Sequence, residues 1–240
     1  MAPDFRLVCV GQREADGLPP SIQALADSGV FSERICIPDV PDPLDQYWCQ
    51  LLASLPEGVG KALVVPVDVD ATLDILRVGA QLGEGVAAAL PLSVRHEIAR
   101  PLMKPDEALA LSAQDLNDWL NRYAVGKSVE LPLLAGYCGW IDAQALKVIA
   151  AANDIELAES ARRRGYSIVL SDEAFVDDAA RYEAVSVKGA LPESFAAALL
   201  ERHPYTALRH PLSELNQQGK TPPKLLARGP GAILHISHSW

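Results

Sequence analysis

The run Ala62–Val67, "ALVVPV", followed at once by "DVDAT" at 68–72, constrains the fold of this chain more than any other stretch. A continuous apolar run without polar alternation suits a strand buried on both faces. That is the habit of strands in parallel sheets covered by helices. Such strands come in series, and the first part of the chain supplies one. Phe5–Val10 ("FRLVCV"), Arg34–Ile37 ("RICI") and Gly85–Leu92 read as further strands. Between them, Ser21–Ser28, Leu44–Ser54 and Thr72–Leu82 have helical spacing, with Trp48, Leu51 and Leu52 on the apolar face of the second. Strands alternating with helices predict an α/β domain around a wound, mostly parallel central sheet flanked by helices.

The later sequence extends this pattern less regularly. Ser112-Ala113-Gln114-Asp115 resembles a helix start with Ser112 as its cap, and predicts a helix over Ser112–Tyr123. Val129–Trp140 is a strand region broken by Pro132 and glycines. Helices are expected from Asp142 to about Ala152 and from Asp154 to Arg164, the latter stopped by Gly165, before a strand at Tyr166–Leu170. Composition shifts after Lys188. Residues 188–240 read as a helical tail, a Pro/Lys linker and a terminal strand at Ala232–Ile236. The expected division is a domain over 1–187, then an extension that leads into a following domain.

Bulk properties exclude several functions. A formal net charge of −10 disfavours non-specific nucleic-acid binding and docking on anionic lipid, both of which need clustered Lys and Arg. No apolar run approaches a transmembrane length, and no signal peptide is visible at the start. The four cysteines form no CxxC and no zinc-finger spacing; Cys9, Cys36 and Cys138 lie in apolar runs and read as buried free thiols. Together these features predict a cytoplasmic protein, at most peripheral to the inner membrane.

Two acidic motifs carry chemistry. Asp68-Val69-Asp70 stands at the carboxyl end of a buried strand, where open α/β sheets bind ligands. Two carboxylates one residue apart can serve a Mg²⁺ or Mn²⁺ ion together with a phosphorylated ligand; the plainer reading is a pair of acids capping the next helix. Asn153-Asp154 leads a helix ending Arg163-Arg164-Gly165-Tyr166. Asp154 is therefore either a helix cap or a partly desolvated general base.

The order of these motifs is similar to that of the inverting nucleotide-sugar glycosyltransferases of the large second family, which have a GT-A (Rossmann-like) fold. The resemblance runs from strand–DxD–helix through the Gly-rich "LAGYCGW" to Asn153-Asp154, Glu156-Leu157, Arg163, Gly165-Tyr166 and "SIVL". It implies transfer of a sugar, with inversion, from a nucleotide-diphosphate donor to a glycan or lipid-linked glycan acceptor. Asp154 would be the catalytic base. Asp39, Asp68 and Asp70 would bind the nucleotide-sugar, and Asp70 with Asp178 would hold Mg²⁺ or Mn²⁺. Trp140 would stack on the acceptor sugar, or else fill the core. The chain departs from the pattern at "GQREADGLPP", at "PDVPDP" and at Asn153, and has Asp177-Asp178 where a His often stands. A degenerate scaffold or glycan-binding domain is therefore an alternative. The tail "GAILHISHSW", with His235 and His238, resembles the opening strand of a GT-B-type domain. It implies an additional glycosyltransferase domain in a longer chain.

"VVPVDVDATLDIL" also matches the first motif of haloacid-dehalogenase-type phosphatases, with Asp68 as nucleophile, Asp70 as acid/base and Ser171 as the serine of a second motif. No suitably placed Lys and acidic strand end follow.

Overall fold

A computed structural model of the chain describes residues 4–11, 17–40, 46–93, 112–123, 126, 128–131, 134, 136–147 and 151–178. The expected tail over 188–240, its linker and the Ala232–Ile236 strand lie outside these residues.

The strands are β1 (Phe5–Val10), β2 (Phe31–Ile37), β3 (Lys61–Pro66), β4 (Asp70–Ala71), β5 (Val86–Ser93), β6 (Ser128–Glu130), β7 (Gly139–Asp142) and β8 (Ser167–Asp177). The helices are α1 (Pro20–Ala26), α2 (Tyr47–Ser54), α3 (Ile75–Val78), α4 (Ala113–Tyr123), α5 (Ala143–Lys147) and α6 (Asp154–Arg163), with a 3₁₀ turn at Gly79–Gln81 after α3. The strands form one sheet in the order β2-β1-β3-β7-β5-β8-β4, with β6 also on β8.

The fold is α/β, and its sheet is mixed rather than mostly parallel. β1 pairs in parallel with β2 and β3, and β5 in parallel with β8. β7 is inserted antiparallel between β3 and β5, and β4 and β6 pair antiparallel with β8. The long strands β1, β2, β3, β5 and β8 thus all point one way, and their carboxyl ends share one rim. Gly139 permits the insertion of β7: a Cβ there would stand 2.6 Å from Leu90 Cδ2 and 3.2 Å from the Ala89 carbonyl oxygen.

Both faces of the sheet are covered, which explains the unbroken apolar runs. On one face, Val8, Val64, Leu90 and Ile168 meet Trp48, Leu51, Leu116, Leu120, Leu146, Leu157 and Ala161 of α2, α4, α5 and α6. On the other, Leu7, Leu63 and Val65 meet Ile22 and Leu25 of α1 and Ile75 and Val78 of α3. Each fully buried aliphatic side chain in these layers stabilises the fold by about 1.5–3 kcal/mol. No described helix is long and apolar enough to cross a membrane.

Two elements differ from expectation. The single helix expected at Thr72–Leu82 is instead a turn after β4, then the short α3 and the 3₁₀ turn. Thr72 and Asp74 form a local turn: Asp74 N–H donates to Thr72 Oγ1 (3.3 Å) and Thr72 Oγ1 to Asp74 Oδ2 (2.8 Å). Such side-chain bonds compete with helix initiation. β8 is also much longer than Tyr166–Leu170. It bulges, because its partners on β5 step from Leu90↔Leu170 to Leu92↔Phe175, four residues against one. Beyond the bulge, the buried Asn117 of α4 acts as a strand edge. It donates Nδ2–H to the Phe175 carbonyl (2.8 Å), and its Oδ1 accepts the Phe175 N–H (2.7 Å).

Candidate site at the carboxyl rim of the sheet

The rim is built where β1, β2 and β3 end side by side. Gly11, at φ +92°, follows β1 and turns its bare Cα toward its neighbours. A Cβ there would lie 3.3 Å from Val67 Cγ2 and 3.8 Å from the Asp39 carboxylate. Glycine is the natural residue for this backbone conformation. The exposed Asp39 and the half-buried Asp68, next in chain after Val67, thus belong to the same side of the rim.

Asp70 lies further along the rim. It is exposed and is the register partner of Asp177 in the antiparallel β4–β8 pair. Partners in such a pair present their side chains on one face, and like charges directly opposite repel unless a cation intervenes. Of the two adjacent acids Asp177 and Asp178, it is therefore Asp177 that shares Asp70's face. Asp178 is buried instead. It accepts the Ser93 hydroxyl at 2.5 Å, at the end of β5, and its Oδ2 lies 3.9 Å from where a Cβ of Gly136 would stand. Cys138 is buried close by. Burial pushes its thiol pKa up, and the Asp178 charge adds to the shift.

Among the described residues, no group of three or more His, Cys, Asp and Glu side chains could hold a metal ion. Asp70 and Asp177 are the two acids that strand register sets opposite one another here, and carboxylate oxygens are the ligands Mg²⁺ prefers.

Asp154 is tied to this side of the sheet through the first turn of α2, whose Trp48 reaches Gly136 beside Asp178. Asn153 caps α6: its Oδ1 accepts the Glu156 N–H at 2.9 Å, and Glu156 reaches back to the Ala152 N–H at 3.0 Å. Asp154 itself caps a different helix. It is 2% exposed, and its two oxygens accept the Trp48 N–H (3.0 Å) and the Cys49 N–H (2.9 Å) in the first turn of α2. An acid there meets the positive end of the helix dipole. The same turn is tied onward. Trp48 Nε1–H donates to the Gly136 carbonyl (2.9 Å) and the Tyr47 hydroxyl to the Tyr137 carbonyl (3.1 Å).

Trp140 lies away from this rim, with the packing of a core residue. It is 1% exposed, its ring meets Phe5 edge-on (5.1 Å) and stacks on Phe31 (5.7 Å), and its Nε1–H donates to the Ile75 carbonyl (2.8 Å). Ser171 lies in the β8 bulge, fully buried, with its hydroxyl oxygen accepting the Glu173 N–H at 3.3 Å.

The rim thus gathers Asp39, Asp68, Asp70, Asp154, Asp177 and Asp178 and leaves Trp140 out. Sequence reading missed Ser93, Gly136 and Asn117. The buried Asn117 at a helical core position was the one available signal, since a buried amide requires partners. No family model matches the chain, and no curated protein matches it.

Proposed function

We propose that this chain is a GT-A-like, Rossmann-like domain that binds a nucleotide-sugar with Mg²⁺ or Mn²⁺ at the carboxyl rim. It passes the sugar, with inversion, to a hydroxyl of a glycan or lipid-linked glycan. The observation that carries this reading is the pairing of Asp70 with Asp177 on one face of the rim, beyond the β1–β3 ends where Asp39 and Asp68 stand. In this reading Asp39 and Asp68 orient the nucleoside side of the donor, while Asp70 holds the cation with Asp177. Asp178, expected to be a second ligand, instead supports the rim through Ser93. The acceptor oxygen attacks the anomeric carbon as the bond to the diphosphate breaks, and the hydroxyl proton passes to a base. A bound divalent ion supplies charge neutralisation for the departing diphosphate.

The test is calorimetry with UDP and GDP, with and without Mn²⁺, followed by a screen for nucleotide-sugar hydrolysis and transfer. Metal-dependent nucleotide binding that disappears in Asp70→Ala is expected. Its absence from the unaltered chain would overturn the reading.

A second reading has its own observation. Both oxygens of Asp154, the residue expected to be the base, are engaged by α2. A non-catalytic scaffold or glycan-binding domain accounts for that directly. Glycan binding without nucleotide binding or transfer would favour it.

A further inference from the structure

We infer that Asp154 is a positioning residue that sets the 136–138 bend and the Asp178–Ser93 pair through the first turn of α2. The inference rests on the transferase reading only for its effect on activity; the structural link stands apart from it. The link is continuous. Asp154 holds the Trp48 and Cys49 N–H groups, Trp48 and Tyr47 hold the Gly136 and Tyr137 carbonyls, and Gly136 abuts Asp178, which holds Ser93. Asp178 follows Asp177, the register partner of Asp70.

Buried at 2% exposure and turned to two helix N–H groups, the Asp154 carboxylate is poorly placed to meet an acceptor hydroxyl. What the arrangement does well is fix distance. Two charge-assisted bonds from one side chain lock the helix turn, and the turn carries two aromatic side chains whose polar ends reach the bend.

The test uses the full chain in two arms. The first needs no substrate. Cys138 sits in the bend, and Cys9 is buried on β1. Alkylation of each thiol by iodoacetamide is followed by mass spectrometry in the unaltered chain, Asp154→Asn and Trp48→Phe. Positioning predicts faster labelling of Cys138 in both variants, with Cys9 unchanged. Equal acceleration of both thiols, or no change at Cys138, overturns the inference, since the first is general destabilisation and the second shows no link.

The second arm measures transfer against pH. Asp154→Asn keeps one acceptor oxygen, so a fall in kcat of about tenfold is expected, with the rising limb of the pH profile kept at its midpoint. Asp154→Ala falls about a hundredfold, and formate or azide does not restore it. Loss of the rising limb in Asp154→Asn, or rescue of Asp154→Ala by formate, makes Asp154 the base and overturns the inference. Absence of transfer in the unaltered chain tells against the proposed function alone and leaves the thiol arm to decide this one.

Discussion

The two rims of the sheet differ in where their charged contacts lie, on exposed carboxylates at one and on buried ones at the other. At the amino rim, Trp140 packs with Phe5 and Phe31, and Gly79 lies so close that a Cβ there would stand 2.8 Å from the indole. This close-packed cluster is anchored by the Trp140 Nε1–H to the Ile75 carbonyl, and the polar contacts beside it, Arg6 with Asp4 and with Glu33, lie on exposed carboxylates. At the carboxyl rim the contacts are polar: Asp154 to α2, Trp48 and Tyr47 to the bend, Ser93 to Asp178, and Asn117 to β8. One rim is suited to holding the sheet together. The other orders groups that can meet a ligand, and it depends on pairings that substitution can remove one at a time.

That contrast can be tested by substitution. Trp140→Ala should lose about 3–5 kcal/mol in denaturant unfolding, the amount expected when a large buried aromatic leaves a cavity. A loss below about 1 kcal/mol would mean that the amino rim is not held as described. Asn117→Ala leaves a buried N–H and C=O of Phe175 unmatched and should lose about 2–4 kcal/mol. If Asn117→Leu proved as stable as the unaltered chain, the strand-edge role would fail. Asp70→Ala should change stability by no more than about 0.5 kcal/mol, as an exposed rim residue, while removing Mn²⁺-dependent nucleotide binding in calorimetry.

A pH effect probes the sheet interior at Cys9. Burial, with the neighbouring Cys36 adding to it, pushes the Cys9 thiol from 9.0 up to about 12. The unfolded chain loses this proton first, so between about pH 9 and 12 the folded state binds more protons and stability falls as pH rises. Thermal melts across that range should show a decline that Cys9→Ala lessens. An identical decline in the variant would remove Cys9 as its cause.

Much of the first half was legible because strands buried on both faces show themselves as apolar runs. Phe5–Val10 has the same bounds in sequence and structure, and "ALVVPV" is displaced by one residue from β3. The second half was less so, because its pattern depends on partners distant in sequence. The polar stretch Ser171–Ala174 hid the continuation of β8, which needs Asn117 to satisfy it. Thr72 and Asp74 broke a helix that apolar spacing supported. At the site, individual acids could be named from sequence, but their pairings could not. Whether Asp177 or Asp178 faces Asp70 is fixed by register across a bulge, and a one-residue slip exchanges them. Asp154 was recognised as a helix-start acid, yet the helix whose N–H groups it accepts lies more than a hundred residues earlier in the chain.

The bulge in β8 has a consequence for how this chain tolerates change in length. On one side of it, Leu170 is tied to Leu90; on the other, Phe175 is tied to Leu92 and to Asn117. Residues 171–174 lie between these two anchored segments, with Ser171 paired to Ser128 of β6 and the Glu173 carbonyl accepting from Arg77. A residue gained or lost there must be fitted around the buried Ser171, Asp172 and Ala174, at a cost in stability, but Asp177 keeps its place opposite Asp70 while the Phe175 anchors hold. The same change made between Phe175 and Asp177 would turn the strand over and send the wrong acid to the rim.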